Sequence, residues 1–169
     1  MYIAQFDGKS LPSRIIKKIN WTDPKHPTSH SAFYFPKCPV NTCWEACWKP
    51  FKRGKKVGWF PSLSTNHTEG TRVDLYRLVP ELTPFEMNSL LMWLDREDGK
   101  RYDWRGCLYF ITRPAKIEGD KDWFCSEAIF SAFLSIGRRL LNNIPPHKVS
   151  PTVLLYPTSL QYEKTIYTE

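Results

Sequence analysis

The sequence predicts a single α+β domain over residues 1–169, with an antiparallel sheet packed against helices. Three observations carry that expectation. A chain of 169 residues suits one domain with one core. Strand-like alternation and helix-like spacing are mixed along it, without the strand–helix–strand repeat of a parallel sheet. Its 14 Pro residues divide it into short elements joined by many turns.

In chain order, residues 1–7 read as a strand and Gly8 to Ser10 as a turn. Ser13 to Asn20 places Ile15, Ile16 and Ile19 at helical spacing. Asp23, Pro24 and Pro27 make a turn-rich link to His30–Phe35, a strand that Pro36 and Pro39 break. Thr42–Trp48 reads as the next strand. Alternation puts Cys43, Glu45 and Cys47 on one face and Trp44, Ala46 and Trp48 on the other. Residues 49–70 read as a long, basic, turn-rich insertion, and loops of that length are commonly functional.

Thr71–Val79 alternates as a strand. Thr83-Pro84-Phe85-Glu86 then combines an N-cap, a Pro in the first turn and a capping-box Glu. The helix it opens is expected to run to about Glu97, burying Met87, Leu90, Leu91 and Leu94, with Gly99 ending it. Tyr102–Ile111 is aromatic without a clear period, and Lys116–Asp122 is polar loop. From Cys125 to about Leu140, an apolar stripe of Ala128, Ile129, Ala132, Phe133 and Ile136 predicts a helix stopped by Pro145-Pro146. Val149–Leu155 reads as a short final element, and the remainder as packing or fraying tail.

Composition narrows the class. Hydrophobic residues at 41% and charged residues at 24% match a soluble globular chain. No apolar run is long enough for a transmembrane helix. Residues Met1 to Gly8 lack the basic and apolar regions of a signal peptide, so the expected location is cytoplasmic. Five Cys without an export signal read as reduced thiols. The net charge of +7 favours anionic partners, and 15% aromatics can fill a core or line an apolar or sugar-binding groove.

Cys125 stands where a loop becomes an amphipathic helix, in Trp123-Phe124-Cys125-Ser126-Glu127. Unpaired N–H groups and the positive end of the macrodipole favour a thiolate there, although free Cys is also a common core residue. A thiol nucleophile needs a base and a residue that orients it. Of His26, His30, His67 and His147, only His30 heads a convincing strand; the others lie in Pro- or turn-rich segments. Glu45 is an acid inside an aromatic, Cys-rich strand. It suits the orienting role if its strand neighbours that of His30, and otherwise faces solvent.

The order of these pieces resembles a family. Ser29-His30 heads one strand and Trp44-Glu45-Ala46 sits in the next, followed by Val73-Asp74-Leu75-Tyr76-Arg77-Leu78 and the helix begun at Thr83. Gly99-Lys100-Arg101-Tyr102-Asp103-Trp104 precedes the Cys125 helix, and Val149-Ser150-Pro151 follows it. Together they look like the circularly permuted papain-like amidases of the YiiX type, a branch of the NlpC-type cysteine peptidases, from about Ser13 to about Leu160. The resemblance implies a permuted papain-like fold and a bacterial or phage source. It implies a hydrolase or acyltransferase working through a thioester, with Cys125 as nucleophile, His30 as base and Glu45 orienting His30. It places Tyr102, Asp103, Trp44 and Ser29 around the substrate and requires no metal or other cofactor. Expected substrates are peptides, cell-wall peptides, or lipid amides and esters. The basic 49–70 segment is expected to frame the groove or meet an anionic surface.

Three rival readings stand beside this one. Cys38, Cys43 and Cys47 plus a His would make a zinc site, but their spacing is not a paired knuckle. Lys49, Lys52, Arg53, Lys55 and Lys56 beside Trp48, Phe51 and Trp59 would suit a nucleic acid, yet a solvated loop explains them, and no stable nucleic-acid complex is expected. A catalytically inactive binding module is the third.

Overall fold

The computed structural model describes residues 1–19, 25–38, 42–47, 57–103 and 122–169. These form β1 (Tyr2–Asp7), α1 (Leu11–Ile19), β2 (His30–Tyr34), β3 (Cys43–Ala46), β4 (Val57–Phe60), β5 (Arg72–Leu78), α2 (Pro84–Glu97), α3 (Cys125–Ser135) and β6 (Leu160–Tyr167). Short 3-10 turns at Pro146–Lys148 and Val153–Leu155 link α3 to β6. The strands make one sheet in the order β4-β3-β2-β1-β5-β6, every neighbouring pair antiparallel. The α+β expectation holds.

Alternation gives the sheet two different faces. On the helix face, Ile3, Phe33, Trp44, Ala46 and Tyr76 join Leu90 and Leu94 of α2 and Phe133 of α3 in the larger core. Phe33 and Phe133 meet with ring centroids 5.5 Å apart, and Trp44 donates from Nε1 to the Leu94 carbonyl at 3.1 Å. On the opposite face, Ala4, Phe6, Ala32, Cys43, Val73 and Leu75 pack with Phe60 and with Leu63 of the β4–β5 link. This second, loop-covered face also carries His30 and Glu45.

Helix starts behave as their sequences dictate. Thr83 caps α2 in a reciprocal capping box with Glu86. Its buried residues include Leu90, Trp93 and Leu94, while Met87 and Leu91 are only half-buried. The α3 helix stops at Ser135, short of the expected Leu140. Gly137 takes a left-handed φ of 79°, its N–H bonds the Leu134 carbonyl and that of Arg138 the Phe133 carbonyl. That is the Schellman pattern, which needs a residue tolerant of positive φ.

One expectation on connections is corrected. The 49–70 insertion is not wholly loop: β4 lies within it and pairs with β3, Glu45 opposite Gly58. Of the two expectations for the C-terminal residues, packing or fraying, packing holds, as a strand that the sequence did not announce: β6 supplies the partner that β5 would otherwise lack at the sheet edge. The basic cluster Lys49–Lys56, with the anionic-surface role expected of it, and most of Tyr102–Ile111 lie outside the described residues. No described helix is long and apolar enough to cross a membrane.

Candidate functional site

On the loop-covered face, His30 at the head of β2, Glu45 in β3, and Asn66 and His67 in the β4–β5 link converge. The register explains the first two. Phe6 stands opposite His30 and Ala32 opposite Glu45, so His30 and Glu45 share the face of Phe6 and Ala32. Gly58, opposite Glu45 at φ 136°, leaves the space beside the carboxylate without a Cβ. The link after β4 must cross this face to reach β5 on the far side of β1, and it lays Asn66 and His67 over Glu45.

Glu45 is 1% exposed and accepts from three donors. His30 Nε2 donates to Oε2 at 2.6 Å and His67 Nε2 to the same oxygen at 3.0 Å, while Asn66 Nδ2 donates to Oε1. Phe6 stacks on His67 at 3.8 Å between centroids and leans on His30 at 5.3 Å. Burial pushes the Glu45 carboxyl up, but the His30 and His67 hydrogen bonds outweigh it and hold the group far below the usual carboxylate range. Burial lowers the His30 imidazole below its ordinary value, against the opposing pull of Glu45. His30 is therefore neutral near pH 7. Donation through Nε2 leaves Nδ1 as its basic nitrogen. Burial, and then the Glu45 charge, pushes the neighbouring Cys43 thiol up, so it stays protonated.

The structure brings His30 and Glu45 together. Cys125 opens α3 in the core of the helix face, with Phe33, Trp44 and Phe124, whose strand members point away from Glu45. The ring of His30 meets Glu45, Phe6 and His67. Cys47, two residues beyond Glu45 and nearly buried, continues the alternation of the His30 face.

Two residues expected at the substrate are buried. Trp44 is fully buried between Phe33 and Trp93 and has no surface to offer a ligand. Ser29 is buried as well; it accepts from the Gly8 N–H at 3.0 Å and donates to the Phe6 carbonyl at 3.2 Å, tying β2 to β1. Tyr102 and Asp103 brace the approach to Cys125. The Asp103 N–H bonds the Trp123 carbonyl at 2.9 Å, the Trp123 N–H bonds the Arg101 carbonyl at 3.0 Å, and the Tyr102 ring leans on Phe124.

Sequence reasoning set His67 aside as a turn residue and passed over Asn66. Their only sequence signal was a polar Asn-His pair inside a long connection that has to cross one sheet face. His26 lies elsewhere, paired with Asp74 at 3.3 Å.

No family model matches the chain, and no curated protein resembles it significantly in sequence. Among solved structures it is similar to the metalloprotein YiiX of Escherichia coli O157:H7, with a TM-score of 0.64 and 15% identity. The likeness covers 99% of this chain and 96% of that one. It shows a YiiX-like fold and, at that identity, the fold alone.

Proposed function

We propose that the protein is a hydrolase of amide or ester bonds that acts by acyl transfer, with His30 as its base and Glu45 as the residue that orients it. The observation that carries this reading is the 2.6 Å hydrogen bond from His30 Nε2 to a fully buried carboxylate. It holds a neutral imidazole in one tautomer with Nδ1 ready to take a proton, which is what a catalytic base requires. Cys125 is the proposed nucleophile. Its place at the start of α3 and the YiiX-like fold support it. His30 Nδ1 takes the Cys125 proton, the thiolate attacks the substrate carbonyl, the amine or alcohol leaves with that proton, and water, deprotonated by His30, cleaves the thioester and releases the Cys125 thiolate. The permuted papain-like arrangement belongs to the same proposal.

Iodoacetamide labelling across pH 4–9, mapped by mass spectrometry on wild type, His30→Ala and Glu45→Gln, tests this chemistry. Fast labelling of Cys125 near neutral pH that is lost in His30→Ala supports the pair. His30-dependent labelling of Cys47 moves the nucleophile to the thiol on the His30 face and makes Cys125 a core residue. Labelling of all thiols at one slow rate, indifferent to His30, ends the thiol-hydrolase reading.

A further inference from the structure

We infer that His30, Glu45 and His67 form a binding site for one divalent transition metal of the zinc class. Three observations point there. One ligand atom from each residue lies within 4.8 Å of the others. The donor set, two imidazole nitrogens and one carboxylate oxygen, is the one that holds catalytic zinc and related ions with a position left for water. A buried oxygen, Asn66 Oδ1, has no hydrogen-bond partner among the described residues, and it belongs to the amide that already donates to Glu45. A water on a metal would supply the missing donor, and the Asn66 Nδ2 bond would orient the carboxylate ligand.

The wall behind the cluster suits an ion. Phe6 stacks on one imidazole and touches the other, and Phe6, Ala32 and Cys43 make an apolar floor that keeps bulk water from competing for the donors. Without metal, the three groups satisfy one another through Nε2–H···Oε2 bonds at 2.6 and 3.0 Å. Ligation needs the Nε2 lone pairs, so the ring protons move to Nδ1 and the groups separate by less than about 1 Å to reach tetrahedral spacing.

This inference concerns the same residues as the hydrolase proposal, and it adds regulation to it. A metal on His30 Nε2 places the ring proton on Nδ1, so a metal-loaded His30 cannot serve a thiol as base. Metal occupancy and the thiol chemistry exclude each other, and zinc should silence any His30-dependent thiol reactivity.

The test uses the full chain, stripped with a chelator and dialysed. It is titrated with Zn2+ by calorimetry and with Co2+ by visible absorption, and circular dichroism checks the fold of each variant. Expected is one equivalent of either ion, with affinity falling at least about a hundredfold in His67→Ala and in the milder His67→Gln. His26→Ala, outside the cluster, should bind as wild type. The Co2+ spectrum should lack a thiolate charge-transfer band. No uptake by folded wild type overturns the inference, and so does uptake that both His67 variants retain. A thiolate band that persists in them would assign the ion to the cysteines instead. Iodoacetamide labelling of metal-free protein reports separately on the hydrolase reading. His30-dependent labelling without metal uptake sinks only this inference; metal uptake with His30-independent thiols sinks only that reading.

Discussion

Replacing Glu45 by Gln keeps the shape of the buried group and removes its charge, and the structure sets the consequences. Glu45 accepts from His30, His67 and Asn66. A hydrogen bond to a charged acceptor contributes about 1.5–3 kcal/mol and one to a neutral acceptor about 0.5–1.5. Neutralising the acceptor therefore costs roughly 1 kcal/mol for each of the three bonds. The Gln amide also turns an NH2 toward one imidazole, which must adopt its other tautomer. Relief of carboxylate desolvation offsets part of this loss. The expected result at pH 7 is a destabilisation of about 2 kcal/mol, or a urea midpoint lower by about 1 M at a slope near 2 kcal/mol/M. Because the folded value of Glu45 is depressed, its stabilisation is complete above the ordinary glutamate range and is lost as pH falls toward the folded value. The gap between wild type and Glu45→Gln should hold from pH 8 to about 5.5 and shrink below about 4.5. His30 is depressed too, so it makes both proteins less stable as pH falls below its ordinary range. Urea melts of metal-free protein followed by Trp fluorescence at pH 3–8 measure this. Equal midpoints at pH 7, or a gap that does not close in acid, would refute the view that an ionised Glu45 organises this face.

Other outcomes follow from single contacts. Trp44→Ala empties the space between Phe33 and Trp93 and removes the bond to Leu94, so it should cost about 3–5 kcal/mol in a chemical melt. Ser126→Ala removes the 2.6 Å bond to the buried Val149 carbonyl and should cost about 1–3 kcal/mol, read the same way. Glu86 is held at about 2 by Arg138 and by the cap residue Thr83, so its contribution is present above its ordinary value and lost as pH falls toward 2. Glu86→Gln should lower the melting temperature at pH 7 and by clearly less at pH 2.5; a constant difference would show that its charge is idle. Gly137→Val should destabilise α3 at its left-handed end, visible as a lower melting temperature, whereas Asn there should be milder.

Much of the fold was legible because it rests on local signals. The Thr83 capping box, the alternation through β2, β3 and β5, and the stripe on α3 each express a preference of a few consecutive residues, and the structure keeps each of them. The Gly137 stop was equally local but was read too late in the chain. What escaped was pairing at a distance. Leu160–Tyr167 alternates too weakly to announce a strand and becomes one because β5 offers an open edge. Val57–Phe60 was hidden in a basic, turn-rich context and is a strand because β3 needs a partner.

The candidate site divides in the same way. Its carboxylate and one imidazole were marked by position: an acid inside an aromatic strand, and a His at the head of another. Alternation even put Glu45 and Cys47 on one face in advance. The sequence by itself thus determined which side chains share a face of a strand, since that depends only on the two-residue period of the backbone. Which face meets α3, which carries the β4–β5 link, and hence that His67 and Asn66 join Glu45, only the tertiary structure decided. The larger apolar set, Phe33 with Trp44 and Ile3, buries most surface against α2 and α3 and so takes the helix side. That leaves His30 and Glu45 facing the loop, which supplies Asn66 and His67.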